Sequence, residues 1–383
     1  MSKSRKVVRG KRIYRGRSKR PGRVLRGVLF ALLLFLLVGI GYIVCKEWVK
    51  YFGPNAVMPE SSAETESSVS STESSEESEP ETPQTQIKGV TVPYEKAQLT
   101  GKALDSYLAD LKAQGYTHVF VELKNEDGAV LFQTDAAQAV SFGSTDTNAF
   151  DAAVFTAAAQ KAGLVPGATI TALRDPLVSH VRNNNSFAYS DQLGTNWLDS
   201  TRALGGKSWL NPYMDNARSY IAELAGDAAD KGFSLILLTD VNFPTRNTAH
   251  MNTIKTEPSR NAILGQMLNE VQAAAGDVPV LNSMDLAEQL ILSRNAPYTD
   301  MQEIGYGKNA PYISLSKIEQ NKAALAEKFG TEADSTAIAR AMLTKLAADS
   351  TLSEMFVPVI SSADVETLVP VLTELSISNY IVL

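Results

Sequence analysis

The chain is 383 residues long, 44% hydrophobic, with a formal net charge of −6 at pH 7, and is too long for one small domain. A single cysteine, Cys45, excludes an intrachain disulfide and a cysteine-based zinc site. The three histidines, His118, His180 and His250, form no His-x-x-x-His pair, so no metal or other cofactor is expected. Basic residues concentrate in the first 26 positions and the rest of the chain is acidic, which argues against nucleic acid as a partner.

Residues 1–26 hold twelve Lys/Arg and no Asp/Glu. Residues 27–45, GVLFALLLFLLVGIGYIVC, follow with no charge at all. As a helix these nineteen residues span roughly 28 Å, about the hydrocarbon thickness of a bilayer. The run is long for a signal peptide and no small-x-small site follows it, so the pattern predicts an uncleaved signal anchor. The basic tail should then stay cytoplasmic and the rest of the chain lie outside a single-pass cell membrane. Residues 46–86 include a Ser/Glu-rich run too poor in apolar surface to fold, and predict a disordered stalk.

From residue 87 to 383, short apolar strands alternate with helical segments. The strand candidates are 87–92, 117–123, 165–171, 233–239, 278–282, 311–315, 356–360 and 377–383; good helical segments are 101–114, 149–162, 212–231, 258–275 and 334–348. The alternation implies a parallel sheet, and about eight units suit a (β/α)8 TIM-type barrel. A doubly wound sheet is the alternative, but no Gly-x-Gly-x-x-Gly follows the first strand.

In a barrel, chemistry sits where strands end and the following loops begin. Acids recur there: Glu122 in VELKNEDG, Asp175 in Arg174-Asp175-Pro176, Asp240 after LILLT, and Asp285 after the fifth strand. Any single Asp is as readily a turn or cap residue, but Glu122 lies within a strand. Alternation puts His118, Phe120, Glu122 and Lys124 on one face and Val119, Val121 and Leu123 on the other. The aliphatic face should meet the helices, with Glu122 and Lys124 in the barrel mouth. The long loop at 174–211 carries Trp197 and Trp209, which suit either stacking on a sugar ring or anchoring the loop.

Taken in order, IKGVTV, ELKNEDG, Arg174-Asp175-Pro176 and WLNPY resemble the "putative glycoside hydrolase domain" family of membrane-anchored bacterial barrels. The resemblance is good over about 87–285. It implies a TIM barrel with carboxylate-based glycosidase chemistry. There is one departure. The family ends its fourth strand with Asp-Tyr-hydrophobic-Arg-Phe-Pro, and counting back from Phe243-Pro244 puts Thr239 at the Asp position, Asp240 at the Tyr position and Asn242 at the Arg position. One residue along a strand is the opposite face, so Asp240 should point toward the helices unless a bulge re-aims it.

The sequence thus supports a membrane-anchored, extracytoplasmic glycosidase acting on cell-wall or capsular polysaccharide. Asp240, Glu122 and Asp285 are the catalytic candidates, and Lys124, Asp175, Trp197, Trp209 and Asn242 the substrate-binding ones. The alternative is a catalytically degenerate barrel that binds glycan or protein at the cell surface.

Overall fold

A computed structural model of the chain describes residues 86–181, 185–189, 194–244, 250–252, 258–287, 310–348 and 356–383. The chain divides into two compact units, Met1–Glu81 and Thr82–Leu383, and every described residue belongs to the second. The signal anchor and basic tail, with all but the last residue of the stalk, therefore lie outside the described residues. Among the described residues no helix is long and apolar enough to cross a membrane.

Eight strands form the centre: β1 (Lys88–Val92), β2 (His118–Lys124), β3 (Val165–Thr171), β4 (Leu235–Thr239), β5 (Val280–Asn282), β6 (Tyr312–Ile313), β7 (Val359–Ile360) and β8 (Tyr380–Val382). Each pairs in parallel with its neighbours in the order β6-β7-β8-β1-β2-β3-β4-β5. The two ends of this path meet. Asp285 and Tyr312 form a parallel bridge, and the amides of Ala310 and Tyr312 donate to the carbonyls of Asn282 (2.9 Å) and Met284 (2.8 Å). The result is a TIM-like parallel α/β fold. All eight expected strands are present, most shortened by one to four residues where polar or Pro-containing ends leave the ladder.

The alternation read from the sequence places side chains as expected through Phe120. Phe120, Leu235, Leu237, Leu281, Val359 and Ile381 pack together along the axis, while Val119, Val121, Leu123, Ile236 and Leu238 join the layer beneath the helices. The Phe120 ring fills the middle of the barrel because its flanks are bare. A Cβ on Gly89 would fall 2.6 Å from that ring, and one on Gly167 2.5 Å from it.

The main covering helices are α1 (Gly101–Ala113), α2 (Ala152–Lys161), α3 (Asp215–Asp230), α4 (Arg260–Ala275), α5 (Ser335–Ala347) and α6 (Val365–Glu374). In α1, Leu104, Leu108 and Leu111 recur every three or four residues and are the buried set. Side chains set three starts: Asp151, Ser259 and Asp334 accept the amides of Val154, Ala262 and Ala337, satisfying donors that have no partner in the helix. An addition to the central sheet was not anticipated. Between β2 and α2, residues Val130–Phe132 run antiparallel to β2, and Thr145–Phe150 then pairs with them.

Candidate functional site

The barrel opens at the carboxyl ends of its strands into a cavity of about 660 Å³, within the ~300–1,000 Å³ range usual for ligand sites. The loop after β3 supplies one wall, with Arg174, Asp199 and Trp209. The ends of β4 and β5 supply the other, with Thr239, Asp240, Asn242, Ser283 and Asp285. Tyr312, Lys317 and Leu383 also line it.

The end of β4 resolves the direction of Asp240. Thr239 follows the inward series Leu235, Leu237, and its hydroxyl lies 3.2 Å from that of Thr171 on β3. Strict alternation would turn Asp240 toward the helices. Instead its backbone is left-handed, φ 52°, a conformation that Asp tolerates better than most residues. The reversal sends Val241 into the helix-side core and leaves Asp240 half-buried beside Thr239 on the cavity wall. The Asp240 carbonyl accepts the Leu173 amide at 3.4 Å, which ties the turn to the loop after β3.

Asp285 lies on the next strand end. Its Oδ2 is 3.6 Å from the Lys317 ammonium, itself 41% exposed. Neighbouring strands run about 4.8 Å apart, and Asp240 and Asp285 line the cavity from adjacent strand ends.

Glu122 pairs in register with Thr169, on the inward face one step above Phe120 and Gly167. It is not part of the cavity lining. Burial raises its pKa, the nearby Glu126 adds to this, and the Lys124 ammonium partly offsets both. Thr169 beside it is buried, its hydroxyl without a hydrogen-bond partner among the described residues.

Lys124 does not share the barrel mouth with Glu122, contrary to the expectation from alternation. The register of β2 against β3 slips between Glu122 and Lys124, and a bulge of this kind re-aims the following side chain. Lys124 is fully buried, its Nζ 3.1 Å from Oδ2 of an equally buried Asp175 and donating to the Thr171 carbonyl at 2.7 Å. Asp175 also accepts the Val178 amide at 2.8 Å. Neither residue lines the cavity, so the pair braces the loop after β3 and is not placed to touch a ligand there.

The two tryptophans part company. Trp197 is fully buried, edge-on to Phe187 at 6.3 Å between ring centroids, so no face of it is open for a sugar and its role is to anchor the loop. Trp209 borders the cavity and donates its Nε1–H to Asp199 at 3.0 Å. Asn242 lines the cavity too, its amide donating to the Phe243 carbonyl at 3.0 Å. The structure therefore gathers Asp240, Asp285, Trp209 and Asn242 at one cavity and leaves Glu122, Lys124, Asp175 and Trp197 out of its lining. Sequence reasoning missed Asp199, Tyr312 and Lys317. The first lies mid-loop, Tyr312 lies within the short apolar run 311–315 and Lys317 two residues after it.

Among the described residues no group of three His, Cys, Asp or Glu is placed to hold a metal ion.

No curated protein matches the chain. Among solved structures it is similar to a hypothetical protein from Ruminiclostridium thermocellum, at 18% identity over 52% of this chain and 97% of that one, with a TM-score of 0.44. It is also similar to an α-galactosidase from Thermus thermophilus (14%, 51% of this chain and 38% of that one, TM-score 0.36). A third is the α-L-fucosidase AlfC from Lactobacillus casei (11%, 75% and 72%, TM-score 0.38). A family model described as "Putative glycosyl hydrolase domain" matches residues 89–305. That match spans more than half of the chain, which therefore belongs to the putative glycosyl hydrolase domain family.

Proposed function

We propose that the protein is a glycosidase of the cell surface, held in the membrane by residues 27–45 and acting on a cell-wall or capsular polysaccharide. One observation carries this reading: Asp240 and Asp285 line the same open cavity from adjacent strand ends. Glycoside hydrolysis needs two such groups, one to protonate the leaving oxygen and one to form or assist the new bond at the anomeric carbon. Lys317 gives Asp285 a counter-charge, which suits the anionic partner. Asp240 takes the proton-donor role. Trp209 and Asn242 border the same space and supply an aromatic edge and an amide to the sugar. Glu122, outside the lining, is the reserve acid.

A second reading is a barrel that binds glycan without cleaving it. It is favoured by Thr239, which occupies the inward position at the end of β4 where an acid would reach furthest into the axis.

The deciding experiment is a reducing-end assay of the full-length protein on purified wall and capsular glycans. Asp240→Asn and Asp285→Asn should each lower kcat by at least about a hundredfold without shifting the thermal midpoint. Turnover that survives both substitutions removes the assignment. Binding without turnover on every glycan establishes the second reading.

A further inference from the structure

The wall of the cavity facing the carboxylates ends in a finger, residues 200–206, that carries an apolar side chain in the open. Leu204 is 78% exposed. Among the described residues only Val140 and Val154 are comparable, and neither borders this cavity. The finger is closed and braced along its length. Leu204 and Gly206 donate to the Thr201 carbonyl (3.0 and 2.9 Å), Gly205 donates to Arg202 (3.1 Å), and the Lys207 amide donates to Asp199 Oδ1 (2.8 Å). Gly205 is left-handed at φ 73°, and a Cβ on Gly206 would fall 2.1 Å from the Ser200 carbonyl oxygen. At its base, Lys207 reaches Glu126 and Asp127 at 2.8 Å each, and Asp199 holds Trp209. A loop held this way keeps Leu204 where it is before any ligand arrives, so little ordering is left to be done on binding.

We propose that Leu204 is a preformed apolar platform for a sugar ring lying next to the one at the carboxylates, which makes the ligand a chain of pyranose units and not a single sugar. A pyranose chain presents hydroxyl edges and a C–H face. The cavity matches both, with polar groups at Asp240, Asn242 and Arg174 and an exposed aliphatic tip at the rim. The cavity volume of about 660 Å³ is that of a drug-sized ligand, more than one ring requires. Covering Leu204 removes apolar surface from water, which corresponds to about a tenfold gain in affinity.

This inference rests on the glycan reading above, and the test separates the two. Calorimetric titration of the full-length protein uses the soluble hexamers of N-acetylglucosamine, glucose, galactose and mannose, with the matching monosaccharides. For the sugar that binds, Leu204→Asn should weaken the hexamer about tenfold and leave the monosaccharide unchanged, while Leu204→Phe keeps hexamer affinity. The exposed position should leave the thermal midpoint of both variants unaltered. Hexamer affinity unaffected by Leu204→Asn, or equal losses for hexamer and monosaccharide, overturns the platform alone. An unaltered protein that binds none of the eight sugars overturns the glycan reading and the platform with it.

Discussion

Replacing Lys124 by Met keeps the aliphatic stem and removes the ammonium. Its partner Asp175 is then left with no exposure, one hydrogen bond from the Val178 amide, and no counter-ion. Asp175 has nowhere to turn. Gly128 is packed so closely against it that a Cβ there would fall 2.2 Å from Oδ1, and the Thr171 carbonyl that accepted from Lys124 loses its donor as well. Removing one partner of a fully buried pair costs about 3–5 kcal/mol, so urea unfolding of Lys124→Met, followed by near-ultraviolet circular dichroism, should show a loss of that size. Adding Asp175→Asn to Lys124→Met removes the orphaned charge but preserves an acceptor for Val178. The double variant should recover most of the loss, ending within about 1–2 kcal/mol of the unaltered protein. A single-variant cost below about 1 kcal/mol, or a double variant no more stable than the single, refutes the structural role. Full stability with lost glycan turnover would instead return Lys124 to the ligand.

Two further outcomes follow from the site. Asp240→Asn should fold as stably as the unaltered chain because Asn also tolerates the left-handed turn, whereas the β-branched Asp240→Val should lose about 1–3 kcal/mol; equal urea midpoints for the two would show that the φ of 52° carries no strain. For Glu122, burial and Glu126 raise the folded pKa above the ordinary value of 4.5 despite the opposing Lys124. The folded protein therefore holds this proton to higher pH than the unfolded chain does. Its contribution to stability is fully present below pH 4.5 and is lost as pH rises through the folded value. Glu122→Gln, always neutral, should be more stable than the unaltered protein at pH 8 and no different at pH 4; urea midpoints that differ equally at both pH values contradict the desolvated carboxyl.

The strands were legible because each is a short apolar run set between helical segments, two of them closed by Pro93 and Asp240, and the helices because Leu and Ala recur at 3.6-residue spacing. The inward face of β2 was legible too, since Phe120 and Glu122 alternate with an unbroken aliphatic set. What alternation cannot report is a break in itself. The bulge before Lys124 and the left-handed turn at Asp240 each reverse a side chain's direction, and both are settled by tertiary contacts: the Asp175 carboxylate in one case, the Leu173 amide in the other. Trp197 and Trp209 differ for the same reason, since only packing against Phe187 distinguishes the buried ring from the one at the cavity. The segment Val130–Phe132 is too short to show any period.

The bridge between Asp285 and Tyr312 makes one residue serve as both seam and candidate catalyst. Among the described residues the ring of strands is joined there by the Asp285–Tyr312 bridge and the amides of Ala310 and Tyr312, a shorter pairing than the register of β2 against β3, and short pairings are where a sheet opens first. An opening of that seam would move Asp285 relative to Asp240, whose carbonyl is held by the Leu173 amide. The spacing of two such carboxylates sets whether a glycosidase retains or inverts configuration. Stereochemical fidelity in this barrel would then be a mechanical property of that joint, and the exchange rate of the Tyr312 amide would be its gauge.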